Sequence, residues 1–256
     1  MITHPLKPMH KRDPATPESF LAKAMDASTP DERIAFAREG LRVVGVEVHP
    51  ETRMLLLREI YRAHLDTRQL CAARDVAFEM AKVGPLQDIA HHDAARVCFA
   101  LGEVDDALRE QRLALLAAPE DRRTFHAWSL ATIEQFAGNF DAALESLERA
   151  ERWATDDLDL VRAHRTYVLL ERGDEVSGDA IESVERALEA SRRGRGYGQF
   201  LVGVLAAYRG DHAKARAVLE AFVERGEMGS AAKMLTLREE LRRARVLLSA
   251  MPPAHT

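Results

Sequence analysis

The sequence predicts an all-α fold, an α-solenoid of about six antiparallel helix pairs closed by a C-terminal capping helix. Three observations carry this expectation. Apolar residues recur at helical spacing along most of the chain, and no stretch shows the sustained alternation of β-branched residues that marks a strand. Aromatic residues make up only 6% of the 256 positions, while Ala, Leu, Arg and Glu dominate, a helix-forming composition. A turn, helix and stop also return along the chain. Leu101–Pro119 reads LGEVDDALREQRLALLAAP. Gly102 ends one pattern, Asp105 and Asp106 sit at the positive end of the next helix, and Pro119 stops it. Related cadences lie at Gly138–Thr155 and Gly210–Glu227.

Taken in order, residues 1–15 carry Pro5, Pro8 and Pro14 and are expected to be a flexible arm. Thr16-Pro17-Glu18 starts a short helix to about Asp26, and Ser28-Thr29-Pro30-Asp31-Glu32 starts a second to about Val46. His49-Pro50 breaks the chain before helices at about 51–65, 67–83 and 86–101. The helix opened by Gly102 follows, then one over about 121–137, with Phe125, Trp128, Leu130, Ile133 and Phe136. Gly138-Asn139 turns into a helix to about Ala154, and two more cover about 157–172 and 178–191. Arg192–Gly198, RRGRGYG, is a glycine-rich joint before helices at about 199–209 and 212–225. A last, highly charged helix over 228–250 ends at Pro252-Pro253, leaving 251–256 as a disordered tail.

Charged residues form 30% of the chain with both signs interleaved and a net charge of −5, as expected of solvated helix faces. This balance argues against nucleic acid as a partner. RRGRGYG is read as a joint, its glycines freeing the turn and its arginines solvated. Cys71 and Cys98 lie beside apolar residues and are read as small core residues in a reducing compartment. The N-terminus has no apolar signal region, and no apolar run approaches the roughly 18 residues that would span a bilayer, so no membrane insertion and a cytoplasmic location are expected.

Aligning the second helix of each pair on a small residue exposes the repeat. The anchors are Ala37, Ala73, Ala107, Ala143, Ala180 and Ala215, spaced by 34 to 37 residues. Four and seven residues on stand Ala77 and Met80, Gln111 and Ala114, Leu147 and Ala150, and Leu219 and Phe222. Antiparallel helix pairs at this period resemble tetratricopeptide repeats. Gly138-Asn139-Phe140-Asp141-Ala142-Ala143-Leu144 matches the turn and second-helix motif, as do Gly102–Leu108 and Gly210–Ala215, and Val202-Gly203 matches the large-then-glycine pair of first helices. The resemblance covers residues 16–227, with His91 and Arg162 as departures at bulky first-helix positions, and it implies a right-handed superhelix with the last helix as cap.

No catalytic constellation is visible, with no dinucleotide fingerprint, P-loop, HExxH or Gly-x-Ser-x-Gly, and neither cofactor nor metal is expected. His91-His92-Asp93 is not read as a metal site, because adjacent helical residues point about 100° apart. The resemblance instead implies a concave groove lined by first helices, at positions 15 and 11 residues before each anchor. These are Arg58 and Arg62, His92 and Arg96, Trp128 and Thr132, and Phe200 and Val204, with Tyr167 from the irregular fifth pair. One end would be cationic and the other aromatic or apolar. Arginines one turn apart suit a carboxylate, as in the carboxylate clamp of some chaperone-binding members, although the Lys and Asn of that clamp are absent here. The function expected is a non-enzymatic adaptor or scaffold holding an acidic and apolar peptide, or an amphipathic helix, of a partner protein. The alternatives are a self-associating structural subunit that uses the convex face or the terminal helix, with its Met234, Leu237, Leu241 and Leu248, and the regulatory or sensor half of a bacterial-type signalling system.

Overall fold

The structure, a computed structural model, describes residues 15–43, 47–192 and 196–252. The expected N-terminal arm up to residue 14, the centre of the glycine-rich joint at 193–195 and the expected tail from 253 lie outside the described residues, whereas Met251, at the start of that tail, is buried in the C-terminal core rather than disordered. Among the described residues the chain forms α-helices, one short 3-10 turn at Glu120–Arg122 and no strand. Six consecutive pairs pack side by side: α1 (Pro17–Asp26) with α2 (Pro30–Leu41), α3 (Pro50–Asp66) with α4 (Leu70–Ala81), and α5 (Gln87–Leu101) with α6 (Val104–Ala117). Then come α7 (Arg123–Phe136) with α8 (Phe140–Trp153), α9 (Leu158–Arg172) with α10 (Gly178–Ala190), and α11 (Tyr197–Tyr208) with α12 (His212–Glu227). The all-α solenoid is thus the architecture of the molecule.

Local chemistry sets the helix ends. Pro17 and Pro30 open α1 and α2 at positions where the missing N–H is not needed. At α2 the Glu32 amide donates to the Thr29 hydroxyl, and the Thr29 amide donates back to the Glu32 carboxylate, each at 3.2 Å. This reciprocal box satisfies two amides that the helix itself leaves open. Gly102 closes α5 at φ +82°, a left-handed conformation that costs residues with a Cβ far more than glycine.

The repeat register is written in burial. Ala37, Ala73, Ala107, Ala143 and Ala215 have no exposed surface, and the residues four and seven positions after the last four anchors are buried as well. The fifth pair departs. Ala180 is exposed, and Ile181, Glu185 and Leu188 hold the buried positions instead, one residue later. The connection from α9 to α10 has five residues, against two or three in the other pairs, and this slack shifts the register. Within α6, Leu113 and Leu116 are exposed, so only part of its apolar run holds the pairs together. Cys71 is exposed rather than a core residue, because it lies two positions before the anchor Ala73 and faces outward, whereas Cys98 is buried.

Gly203 shows why first helices carry glycine at this position. A Cβ there would stand 2.6 Å from Cγ and Cδ2 of Leu219 on α12. Gly203→Val is therefore expected to destabilise by about 1–3 kcal/mol through overpacking, seen as a lower urea midpoint. Gly178→Ala, where an added Cβ meets nothing within 4 Å, should leave the midpoint unchanged or raised.

The C-terminal segment corrects the expectation of one long capping helix over 228–250. It is broken at Leu237 into α13 (Ala231–Thr236) and α14 (Arg238–Ala250). The α14 helix packs on α11 and α12 as a cap would, with Leu241 and Ala244 entering their core. The short α13 helix instead reaches back to α3, where Ala232 and Leu235 pack against the cluster around Met54, Leu57, Tyr61 and Leu65. The segment therefore lies as a strap along the first helices and does not only close the end of the stack.

Candidate functional site

The cationic end predicted from the sequence is spent within the chain. Arg58 donates through Nε to Asp93 at 2.8 Å, and Asp93 is buried. Arg62 donates to the buried Glu59 at 3.1 Å, one turn away on the same helix. Arg33 also stands 3.7 Å from Glu59. A buried carboxylate without its cation costs free energy, so these arginines satisfy the fold first. Arg58→Glu is expected to lower stability by about 1–2 kcal/mol, scaled down from the ~3–5 kcal/mol of a fully buried pair because Arg58 is 37% exposed. Chemical denaturation of this variant reads the loss directly.

The two neighbouring histidines of α5 turn to different partners on α6. His91 Nδ1 lies 2.8 Å from Glu110, and His92 Nδ1 lies 3.0 Å from the Gln111 side-chain oxygen. Among the described residues no three metal-ligating side chains converge. Gln111 in turn donates to the His126 carbonyl at 3.1 Å, and His126 Nε2 lies 3.0 Å from Asp88. Arg122 grips Asp88 with two donors, at 2.7 and 3.1 Å. Burial pushes the Asp88 carboxyl up, but the hydrogen bonds from Arg122 and His126 outweigh it and hold it below the usual range. Burial, reinforced by the nearby Arg96, drives His92 down to about 3, so its ring is neutral near pH 7. The network orients a neutral His92 at the face of the first helices.

At the aromatic end the structure separates the predicted residues. Trp128 and Thr132 remain at the face, the Thr132 hydroxyl donating to the Trp128 carbonyl at 3.0 Å. Tyr167, Phe200 and Val204 have no exposed surface and belong to the core. This corrects their assignment as groove-lining residues. Phe222 of α12, together with Leu241, Ala244 and Met251 from the end of the chain, shares and covers their cluster. Tyr197 stands at the face in their place, with its ring 4.8 Å from that of Trp128 and nearly perpendicular to it.

Between the first helices and the strap lies a cavity of about 370 Å³. Of the residues singled out from sequence it brings together His92, Arg96, Trp128 and Thr132, and it leaves out Arg58, Arg62, Tyr167, Phe200 and Val204. Its other walls include Tyr61, Phe99, Phe125 and Tyr197, and Leu235–Glu240 form its roof. The roof is pinned by polar contacts. Arg96 donates to the Thr236 hydroxyl, Arg238 donates to the Ala100 carbonyl at 2.6 Å, and Arg243 pairs with Glu171. Glu240 is 5% exposed, and burial, helped by neighbouring Glu239, outweighs a backbone hydrogen bond and the pull of Arg96 and raises its carboxyl to about 7. The aromatic walls could have been suspected from first-helix periodicity. The roof could not, since nothing in the local pattern of residues 228–250 says which distant helix they meet.

The sequence matches no family model and no curated protein. Among solved structures, the chain is similar to YrrB, described as a TPR protein with an unusual peptide-binding site. The identity is 19% and the TM-score 0.43, over 74% of this chain and 94% of that one. No helix among the described residues is long and apolar enough to cross a membrane.

Proposed function

We propose that this protein is a non-enzymatic interaction module that holds a short segment of a partner protein on the face of its first helices. One observation supports this most: a segment of the chain itself already lies there. The α13 helix presents Ala232 and Leu235 to an apolar patch on α3 and offers Thr236 to Arg96, the way an amphipathic helical ligand uses a groove. A partner segment with two apolar residues one turn apart and a hydrogen-bond acceptor beside them could take the same place. With Arg58 and Arg62 engaged in the chain, Arg96 is the cation left for an acidic partner residue. Two free cysteines accord with the cytoplasmic location we propose.

The test uses the full chain carrying Leu235→Asp, which unseats the strap, and a fluorescent peptide of residues 229–240 added in trans. The peptide should bind the variant at least tenfold more tightly than the wild-type chain, whose face is occupied. Equal anisotropy changes for both, or none for the variant with helicity intact, would reject the proposal. Self-association through the terminal helix has less support, because Leu237, Leu241 and Leu248 pack inward on the chain's own core.

A further inference from the structure

Two buried donors at the cavity are left without partners, and a buried acid there has no counter-charge. The Arg96 Nε and the Trp128 indole N–H are buried donors that make no hydrogen bond. The Glu240 carboxyl is more than nine-tenths buried and accepts a backbone hydrogen bond, but among the described residues it has no ion-pair partner. The charged neighbours in the roof are already satisfied, Arg238 by the Ala100 carbonyl and Glu239 by Arg242 at 2.7 Å. Buried polar groups are normally paired, so two orphan donors and a buried acid without a cation around one cavity mark a ligand rather than packing. The volume, about 370 Å³, falls in the usual range of small-molecule sites, ~300–1,000 Å³.

The charges define the ligand. A lone anion would satisfy Arg96 and Trp128 but leave Glu240 buried without a cation, and a lone ammonium would do the reverse. A net-neutral zwitterion satisfies all three. Much of the remaining wall is aromatic, with Tyr61, Phe99, Phe125 and Tyr197, and suits an apolar body. We propose that this cavity binds a free amino acid with a large apolar or aromatic side chain, its carboxylate on Arg96 and Trp128 and its ammonium on Glu240. Arg96 belongs to α5 and Glu240 to α14, so the bound amino acid ties the strap onto the first helices. The proposal does not depend on a partner peptide using the same face.

Calorimetric titration of the full chain tests it with phenylalanine, tryptophan, leucine and methionine, and with two truncated probes, 2-phenylethylamine and 3-phenylpropionate. At least one amino acid should bind, and phenylalanine should exceed each truncated probe tenfold or more, equivalent to about 1.4 kcal/mol. Glu240→Gln should abolish the advantage of phenylalanine over 3-phenylpropionate and leave the amine weak. Trp128→Phe keeps an aromatic ring but removes the donor, and should weaken 3-phenylpropionate while sparing 2-phenylethylamine. Glu240→Gln is isosteric and Trp128→Phe leaves a smaller ring, and far-UV circular dichroism checks the fold of both. Binding of none of the four amino acids, or equal binding of phenylalanine and either truncated probe, would overturn the proposal.

Discussion

Phe200→Ala should cost about 3–5 kcal/mol of stability, the range for deleting a fully buried aromatic side chain and leaving a cavity behind. Phe200 has no exposed surface. Its ring lies 5.8 Å from Tyr167, 5.7 Å from Tyr197 and 5.5 Å from Phe222, so three helices lose packing at once. Pairs of rings in this range add attraction beyond the area they bury. Urea denaturation should show the loss, and it should fall on the C-terminal pairs first, since stability in a stacked array is a sum over neighbouring units. A groove residue would behave otherwise, costing affinity for a partner and little stability. A change below about 1 kcal/mol would place Phe200 at the surface that the sequence alone suggests.

Glu240→Gln should act in the opposite direction, and only at higher pH. The ordinary carboxyl titrates near 4.5 and the buried one near 7. Between these values the folded chain keeps a proton that the unfolded chain has released. Stability contributed by this group is thus fully present below about pH 4.5, falls as pH rises toward 7, and levels off above it. The whole change amounts to about 3 kcal/mol. Glutamine mimics the protonated acid and carries no such penalty. The variant should match the wild type near pH 4 and exceed it by about 3 kcal/mol near pH 8. His164, fully buried and lowered to about 3 by that burial, works against the wild type and the variant alike on the acid side. The difference between the two proteins isolates Glu240. A pH-independent difference in denaturation midpoints would show that this carboxyl is not buried in the folded state. A bound zwitterion should reduce the wild-type deficit near pH 8, because it supplies the missing cation.

The repeat was legible because it is local chemistry repeated. Thr29 with Pro30 and Glu32 starts a helix wherever it occurs, and Gly102 stops one. A small residue followed at four and seven positions by buried side chains defines a second helix, and this held for Ala73, Ala107, Ala143 and Ala215. The fifth pair slipped by one residue because a five-residue connection does not impose the register that a shorter turn imposes. Of the residues that sequence spacing singled out, His92, Arg96, Trp128 and Thr132 line the cavity. Those positions follow from helical periodicity within a single pair.

By itself the sequence determined the helices, their pairing and the face that each first helix presents, since each of these is settled within about 35 residues of chain. Only the tertiary structure decided what covers that face. Phe200 and Val204 sit at face positions by periodicity, yet Leu241, Ala244 and Met251 from the far end of the chain help bury them. Arg58 and Arg62 sit there too, yet Asp93 and Glu59 claim them. The break at Leu237 turns a charged terminal helix into a strap whose Glu240 shares one cavity with Arg96 across more than 140 residues of chain. Contacts of that range depend on how pairs stack and where the end of the chain returns, and no local pattern encodes them.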